Sequence, residues 1–429
     1  MTKLLFAALC LLLAAAAQAA IDIEHWNTPS GARVYFVASH SLPMLDVELD
    51  FSAGSAYEPA SRGGLAELTS GLLAAGAAGL GEEQIAARLA DIGARLSSDS
   101  GPDRASLRLR TLSSPAERDA ALELMHALVA TPTFPDSAVE REKARSISAM
   151  LEAQTRPEAI AARRFFEAIY PGHPYGVQAT AESVAAIRRD ELVAFWRGHY
   201  GARRAVVTIV GDVSRDEAGR IASGLTEALP DAPAEAPLPS ATLPARQTLR
   251  IPHPAAQSHI YIGLPLIRRG DPDFFPLLVG NYVLGGGGFV SRLMKEVREK
   301  RGYAYSVYSY FSPRKAEGPF QIGLQTKRTQ TGQALSVVDA TVAEFLERGP
   351  TGSELRAAKR NLVDGQALSL DSNAKILAAV SVIGFYGLPL DWLKDYPRHV
   401  EAVTSAQVRQ AFKRHVQPAH LVTVIVAGD

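Results

Sequence analysis

Ala205-Val-Val-Thr-Ile-Val-Gly211 and Leu421-Val-Thr-Val-Ile-Val-Ala-Gly428 are two versions of one element. Each is a short apolar, β-branched run stopped by glycine, the signature of a buried strand. Working outward, each closes a similar series. In the first half, strands are predicted over Ala32 to Val37 and Leu45 to Ser52, with an apolar helix over Gly64 to Ala75. In the second half, Gln247 to Ile251 and His259 to Leu264 read as strands and Phe275 to Leu284 as the apolar helix. Further helices are predicted over Glu82 to Leu96, Pro115 to Thr131, Asp136 to Thr155 and Arg188 to Tyr200. In Glu82 to Leu96 the signal is helical spacing of Ile85, Leu89, Ile92 and Leu96. Leu229 to Pro244, rich in Pro and Ala and without period, separates the halves as a linker. The chain thus reads as a duplicated α+β unit, each copy a sheet covered by helices on one face. The expected division is a leader over 1–20, a first domain over 21–228, a linker over 229–246 and a second domain over 247–429.

Composition narrows the chemistry. Lys3 followed by the apolar run Leu4 to Ala17 and by Ala17-Gln-Ala19 has the form of a cleaved export signal. Cys10 is the only cysteine and would leave with it, so disulfides and thiolate chemistry are not expected. Lys+Arg and Asp+Glu both number 45, a balance that does not point to nucleic acid or an anionic membrane surface. No later segment is long and apolar enough to suggest a membrane span. An exported bacterial protein of this kind is expected in the periplasm.

The residues with most chemical promise lie in Arg298-Glu-Lys-Arg-Gly-Tyr-Ala-Tyr305. Arg298 and Tyr305 fall between a predicted helix end and a predicted strand start. A guanidinium and a phenol placed there can donate hydrogen bonds to a peptide carbonyl. Read from the residues alone, Arg298 is one of four charges on a solvated helix end, Gly302 its left-handed terminator, and the tyrosines ordinary strand aromatics. Alternation places Tyr303 and Tyr305 on one face and leaves open which of them is functional. The preceding Gly285, Gly286, Gly287 and Gly288 lack the Lys-Ser/Thr of a phosphate loop and are expected to turn the backbone tightly, near a bound peptide. The ten histidines are scattered, and structural roles are expected for all of them. Leu96 to Leu107 reads as a hairpin turning at Gly101-Pro102.

Seven segments, in order, carry a resemblance. They are Gly64-Leu-Ala66, Glu142-Lys143, His173-Pro-Tyr-Gly176, Val210-Gly-Asp-Val213, Leu284-Gly-Gly-Gly-Gly288 with Ser291-Arg-Leu293, Arg298 to Gly302 with Ala304-Tyr-Ser306, and Asp371-Ser-Asn373 with Tyr386-Gly-Leu-Pro389. The chain resembles the insulinase/pitrilysin-like (inverzincin) peptidases in their short two-domain bacterial form. The resemblance implies two homologous, mainly antiparallel sheets covered by helices, together forming half of a clam shell. In active members the apolar helix carries H-x-x-E-H, two zinc ligands and a glutamate that activates water. The matching positions here are Glu67, Ser70 and Gly71, and the downstream glutamate ligand falls near Ser148-Ala-Met150. No metal is therefore expected on this chain, and Glu67 is expected to face water in an emptied cavity. The resemblance also selects Arg298 and Tyr305 as the pair that contacts substrate.

Two functions follow from the resemblance. The chain is expected to be the non-catalytic subunit of a periplasmic heterodimer. Its zinc-binding insulinase-family partner would hold the metal, while Arg298 and Tyr305 would stabilise the tetrahedral intermediate of a peptide substrate. The alternative is an inactive structural or peptide-binding protein of the same fold, with no part in catalysis.

Overall fold

The computed structural model describes residues 21–427. The expected export signal, with its expected cleavage site and Cys10, lies outside these residues, as does Gly428. The first half builds a six-stranded sheet from β1 (Glu24–Asn27), β2 (Arg33–Ala38), β3 (Met44–Phe51), β6 (Arg95–Ser100), β7 (Ala105–Leu112) and β8 (Val206–Gly211). A minute hairpin, β4 (Gly76–Ala77) with β5 (Leu80–Gly81), stands apart. The second half builds a five-stranded sheet from β9 (Gln247–Pro252), β10 (Gln257–Ile267), β11 (Ala304–Phe311), β12 (Gly318–Lys327) and β13 (Val422–Ala427).

Strand order proves the duplication. The first sheet runs β1-β2-β8-β3-β7-β6 and the second β11-β12-β10-β13-β9. Without β1, and with the second order reversed, the two sheets match strand for strand. The closing strands β8 and β13 are interior in both, parallel to β2 and β9 and antiparallel to β3 and β10. Interior strands cannot shed backbone polar groups to water, and both of their faces meet protein, which favours their unbroken β-branched composition.

Strand β3 reveals what covers the faces. Leu45, Val47, Leu49 and Phe51 point into the core that the sheet shares with its own helices. Asp46, Glu48 and Asp50 point the other way and are nevertheless buried. Arg110 pairs with Asp46 at 2.7 Å, Arg108 with Glu48 at 2.9 Å and Arg104 with Asp50 at 3.2 Å. Burial, and next the Glu48 charge, push the Asp50 carboxyl up to about 7. The cover on this face comes from the other half: Ser381, on helix Asn373–Tyr386, donates to Asp50 Oδ2 at 2.7 Å.

The exchange is reciprocal. Leu377, Val380 and Ile383 of that second-half helix pack on Tyr35, Val37, Val206 and Val210 of the first sheet. Ala161, Phe165 and Ile169 of helix Pro157–Ile169, from the first half, pack on Val422, Val424 and Val426 of the second sheet. Each sheet is therefore covered on both faces, not on one as its sequence suggests, because each half lends a helix to the other. The linker is also fixed. Arg204 donates to Pro233 O and Ala234 O, and His173 Nε2 hydrogen-bonds Pro239 O at 2.9 Å.

Two local expectations change. Helix Glu82–Asp91 stops short of Leu96, because Gly93 takes a φ of 63° and Leu96 enters β6. The second apolar helix, Phe274–Asn281, gives way to a π turn over Tyr282–Gly286. The β6–β7 hairpin forms as expected, with Gly101 N–H bonded to Arg104 O at 2.9 Å. No single helix among the described residues is long and apolar enough to cross a membrane.

Candidate functional site

The motif helix is Leu65–Gly71. Its start is held by Glu58, whose carboxylate accepts the N–H groups of Gly64 at 3.1 Å and Ala66 at 2.9 Å. A carboxylate at this end satisfies free donors and suits the helix dipole. Burial, with a further push from Glu67, still raises the Glu58 carboxyl to about 7. Glu67 itself is exposed, Ser70 is buried and donates to Asp99 O at 3.2 Å, and Gly71 has no side chain to offer.

Helix Asp136–Ala153 carries Ser148, Ala149 and Met150 where a downstream ligand would be needed. One turn earlier, Arg145 bonds Glu142 at 2.5 Å; Glu142 first, and Glu67 more weakly, favour its charged form. A cation thus stands near the former metal position. Zinc needs at least three protein ligands, and one carboxylate with a spent hydroxyl does not fit it. Among the described residues only Asp271, Asp273 and His415 converge as possible ligands, far along the second half. There Asp273 already accepts from His415 at 2.8 Å and Arg414 at 2.5 Å. The other histidines are structural where their bonds are visible: His173 Nδ1 accepts Tyr175 N–H at 3.1 Å.

Beside the motif helix lies a cavity of about 300 Å³. Glu58, Glu67, Phe166, Tyr175, Gln178 and Arg314 are among its walls. Arg314 arrives from the β11–β12 turn of the second half, its guanidinium 4.8 Å from the Tyr175 ring centre and 5.7 Å from that of Phe166. The turn is seated by Asp103, which accepts Lys315 N–H at 2.9 Å and the hydroxyls of Tyr175 and Tyr386.

Arg298 and Tyr305 meet elsewhere on the second half. Arg298 belongs to the π-helical stretch Met294–Glu299, a wide turn confirmed by the Lys300 N–H bond to Lys295 O at 3.0 Å. Gly302, at φ 65°, ends it. The β11 pairing then slips between Ala304 and Val307, a bulge that turns Tyr305 outward. Tyr305 is 84% exposed. Tyr303 instead packs against the second core, so the expected shared face of the two tyrosines does not exist. The Arg298 guanidinium sits 4.8 Å from the ring centres of both Tyr305 and Phe289. Lys300 and Arg301 pair with Glu296, and Arg292 with Glu354, but Arg298 has no acidic partner among the described residues. Neither Arg298 nor Tyr305 lines the cavity beside the motif helix.

The glycine cluster is divided. Gly285 is buried so close to β11 that an added Cβ would lie 2.4 Å from Ser309 Oγ, which removes it from direct peptide contact. Gly286, Gly287 and Gly288 remain at or near the surface.

The model described as Insulinase (Peptidase family M16) matches residues 33–181, and that described as Peptidase M16 inactive domain matches 186–362. The chain belongs to the insulinase family. Within it, the chain is an inactive-type member, without the metal-binding motif. A solved M16 inactive-domain structure from Pseudomonas fluorescens is 36% identical, with 95% of this chain and 98% of that one covered and a TM-score of 0.92. A Helicobacter pylori protein named non-peptidase homolog YmxG is 26% identical over 92% of this chain and 91% of its own length. The periplasmic protease PqqL of Escherichia coli shares the fold, at 15% identity and a TM-score of 0.80. This chain covers 46% of it while 95% of this chain is matched.

Several of the residues now in view were not singled out in the sequence. Phe289 sits directly beside the quoted glycines, and its aromatic character was the available signal. Glu58 and Arg314 gave none, since only the fold sets them around one cavity.

Proposed function

We propose that this insulinase-family chain is the non-catalytic subunit of a periplasmic, heterodimeric zinc peptidase. A partner of the same family carries H-x-x-E-H and the metal, and this chain supplies Arg298 and Tyr305 to the peptide. The observation that carries the reading is the pairing of a half-buried Arg298, without an acidic partner among the described residues, with an exposed Tyr305, away from this chain's own motif helix. A pair so placed has no metal of its own to serve, and acts only on a site brought by another chain. Both groups donate hydrogen bonds, so they bind a scissile carbonyl most strongly when its oxygen becomes negative.

The test is co-expression with an exported relative that holds the intact motif, followed by peptide hydrolysis by the purified complex. Arg298→Ala or Tyr305→Phe is expected to lower kcat by about 10²–10³, with a smaller change in KM. Unchanged turnover in both variants removes the shared-site reading. It leaves the structural or peptide-binding role, which the name of the Helicobacter pylori relative favours.

A further inference from the structure

The cavity beside the motif helix contains charged groups without an ion-pair or side-chain hydrogen-bond partner among the described residues. Neither Glu67 nor Arg314 forms an ion pair or a side-chain hydrogen bond among the described residues, although both line it. They come from different halves and do not bridge each other. Glu58 adds a second carboxylate, anchored from behind by backbone N–H groups. Phe166 and Tyr175 form an apolar wall, with the Arg314 guanidinium stacked against both.

We propose that this cavity binds the amino-terminal end of a peptide, with the α-ammonium at Glu67 and Glu58, the first carbonyl at Arg314, and the first side chain against Phe166 and Tyr175. An ammonium has three donors and no acceptor, the complement of two carboxylates. A carbonyl follows it at a fixed short distance in every peptide and accepts hydrogen bonds from a guanidinium. A hard divalent cation would demand six or more oxygens and would be repelled by Arg314. About 300 Å³ is at the small end of ligand cavities, suited to a chain end rather than a folded partner. Ser100, the last residue of edge strand β6, is on the rim, so the peptide beyond its first residue can leave along an unpaired strand edge.

This site uses no partner chain and no residue of the Arg298–Tyr305 pair, so it can fail or stand independently of the function proposed above. The test is calorimetric titration of the purified chain with a short C-terminally amidated peptide and its N-acetylated twin. The free-amine peptide is expected to bind, acetylation to weaken binding at least tenfold, and Glu67→Gln and Arg314→Gln each to do the same. An amidated single amino acid distinguishes the two sources of this chemistry: a tenfold weaker grip than the peptide's supports use of the strand edge. Equal binding of the acetylated and free peptides, no binding of either, or indifference to Glu67→Gln overturns the proposal. Glu67 is exposed, so its conservative replacement does not threaten the fold.

Discussion

Gly285 and Arg298 illustrate opposite uses of a residue in the same small region. Gly285 is valuable for what it lacks: the Ser309 backbone N and Oγ occupy the space a methyl would take, at 2.5 and 2.4 Å. Gly285→Ala is expected to lower stability by about 1–3 kcal/mol, as overpacking does, measured by urea unfolding. An unchanged midpoint would mean that β11 can move away without cost. Arg298 is notable for having no acidic partner among the described residues. Its neighbours have acidic partners, while it rests between Phe289 and Tyr305. Cation–π contact holds a guanidinium in place without occupying its hydrogen-bond donors, which leaves them free for the substrate carbonyl of the proposed function.

At the scale of elements, a partly buried ion pair, Arg292 with Glu354, helps tie the segment after the glycine-rich turn to helix Gly352–Leu368. Arg292 reaches Glu354 with Nε at 2.9 Å and Nη2 at 2.7 Å, and also donates to Gly349 O at 2.9 Å. Glu354 at the same time accepts Thr351 N–H, as one member of a capping box. Burial acts to raise the Glu354 carboxyl, but the bonds from Arg292, then those from Thr351, outweigh it and hold it at about 2. A depressed carboxylate contributes stability that is fully present above its ordinary value of 4.5 and is lost as pH falls toward 2. Glu354→Gln is therefore expected to cost about 1–3 kcal/mol near neutral pH, with the gap to the unaltered protein closing between pH 4.5 and 2. Urea midpoints across that range check it, and a gap independent of pH would contradict it. At the same scale, helix Glu82–Asp91 shows where periodicity misleads. Leu96 continues the helical spacing numerically, yet Gly93 has already turned the chain and handed Leu96 to a strand.

For the whole molecule, the exchanged helices make the two halves one cooperative body. Phe165 is fully buried against the second sheet although it belongs to the first half. Phe165→Ala is expected to cost about 3–5 kcal/mol and to lower a single unfolding transition rather than one of two. Two separate transitions would show that the halves fold independently. Residues 21–228 expressed alone would expose Tyr35, Val37, Val206 and Val210, and are expected to aggregate unless residues 229–429 are supplied.

Local pattern was enough for the duplication, the closing strands and the hairpin at Gly101, because each depends on residue type over a short span. Period and β-branching are written into neighbouring residues. The cover on the second face of each sheet was not legible, since Phe165 and Val380 look like any core residues of their own half. The same holds for the outward turn of Tyr305, which depends on a bulge against β12, and for the cavity that gathers Glu58, Glu67 and Arg314. These depend on contacts between residues tens to hundreds of positions apart, where packing between distant segments, not local preference, sets the lowest free energy.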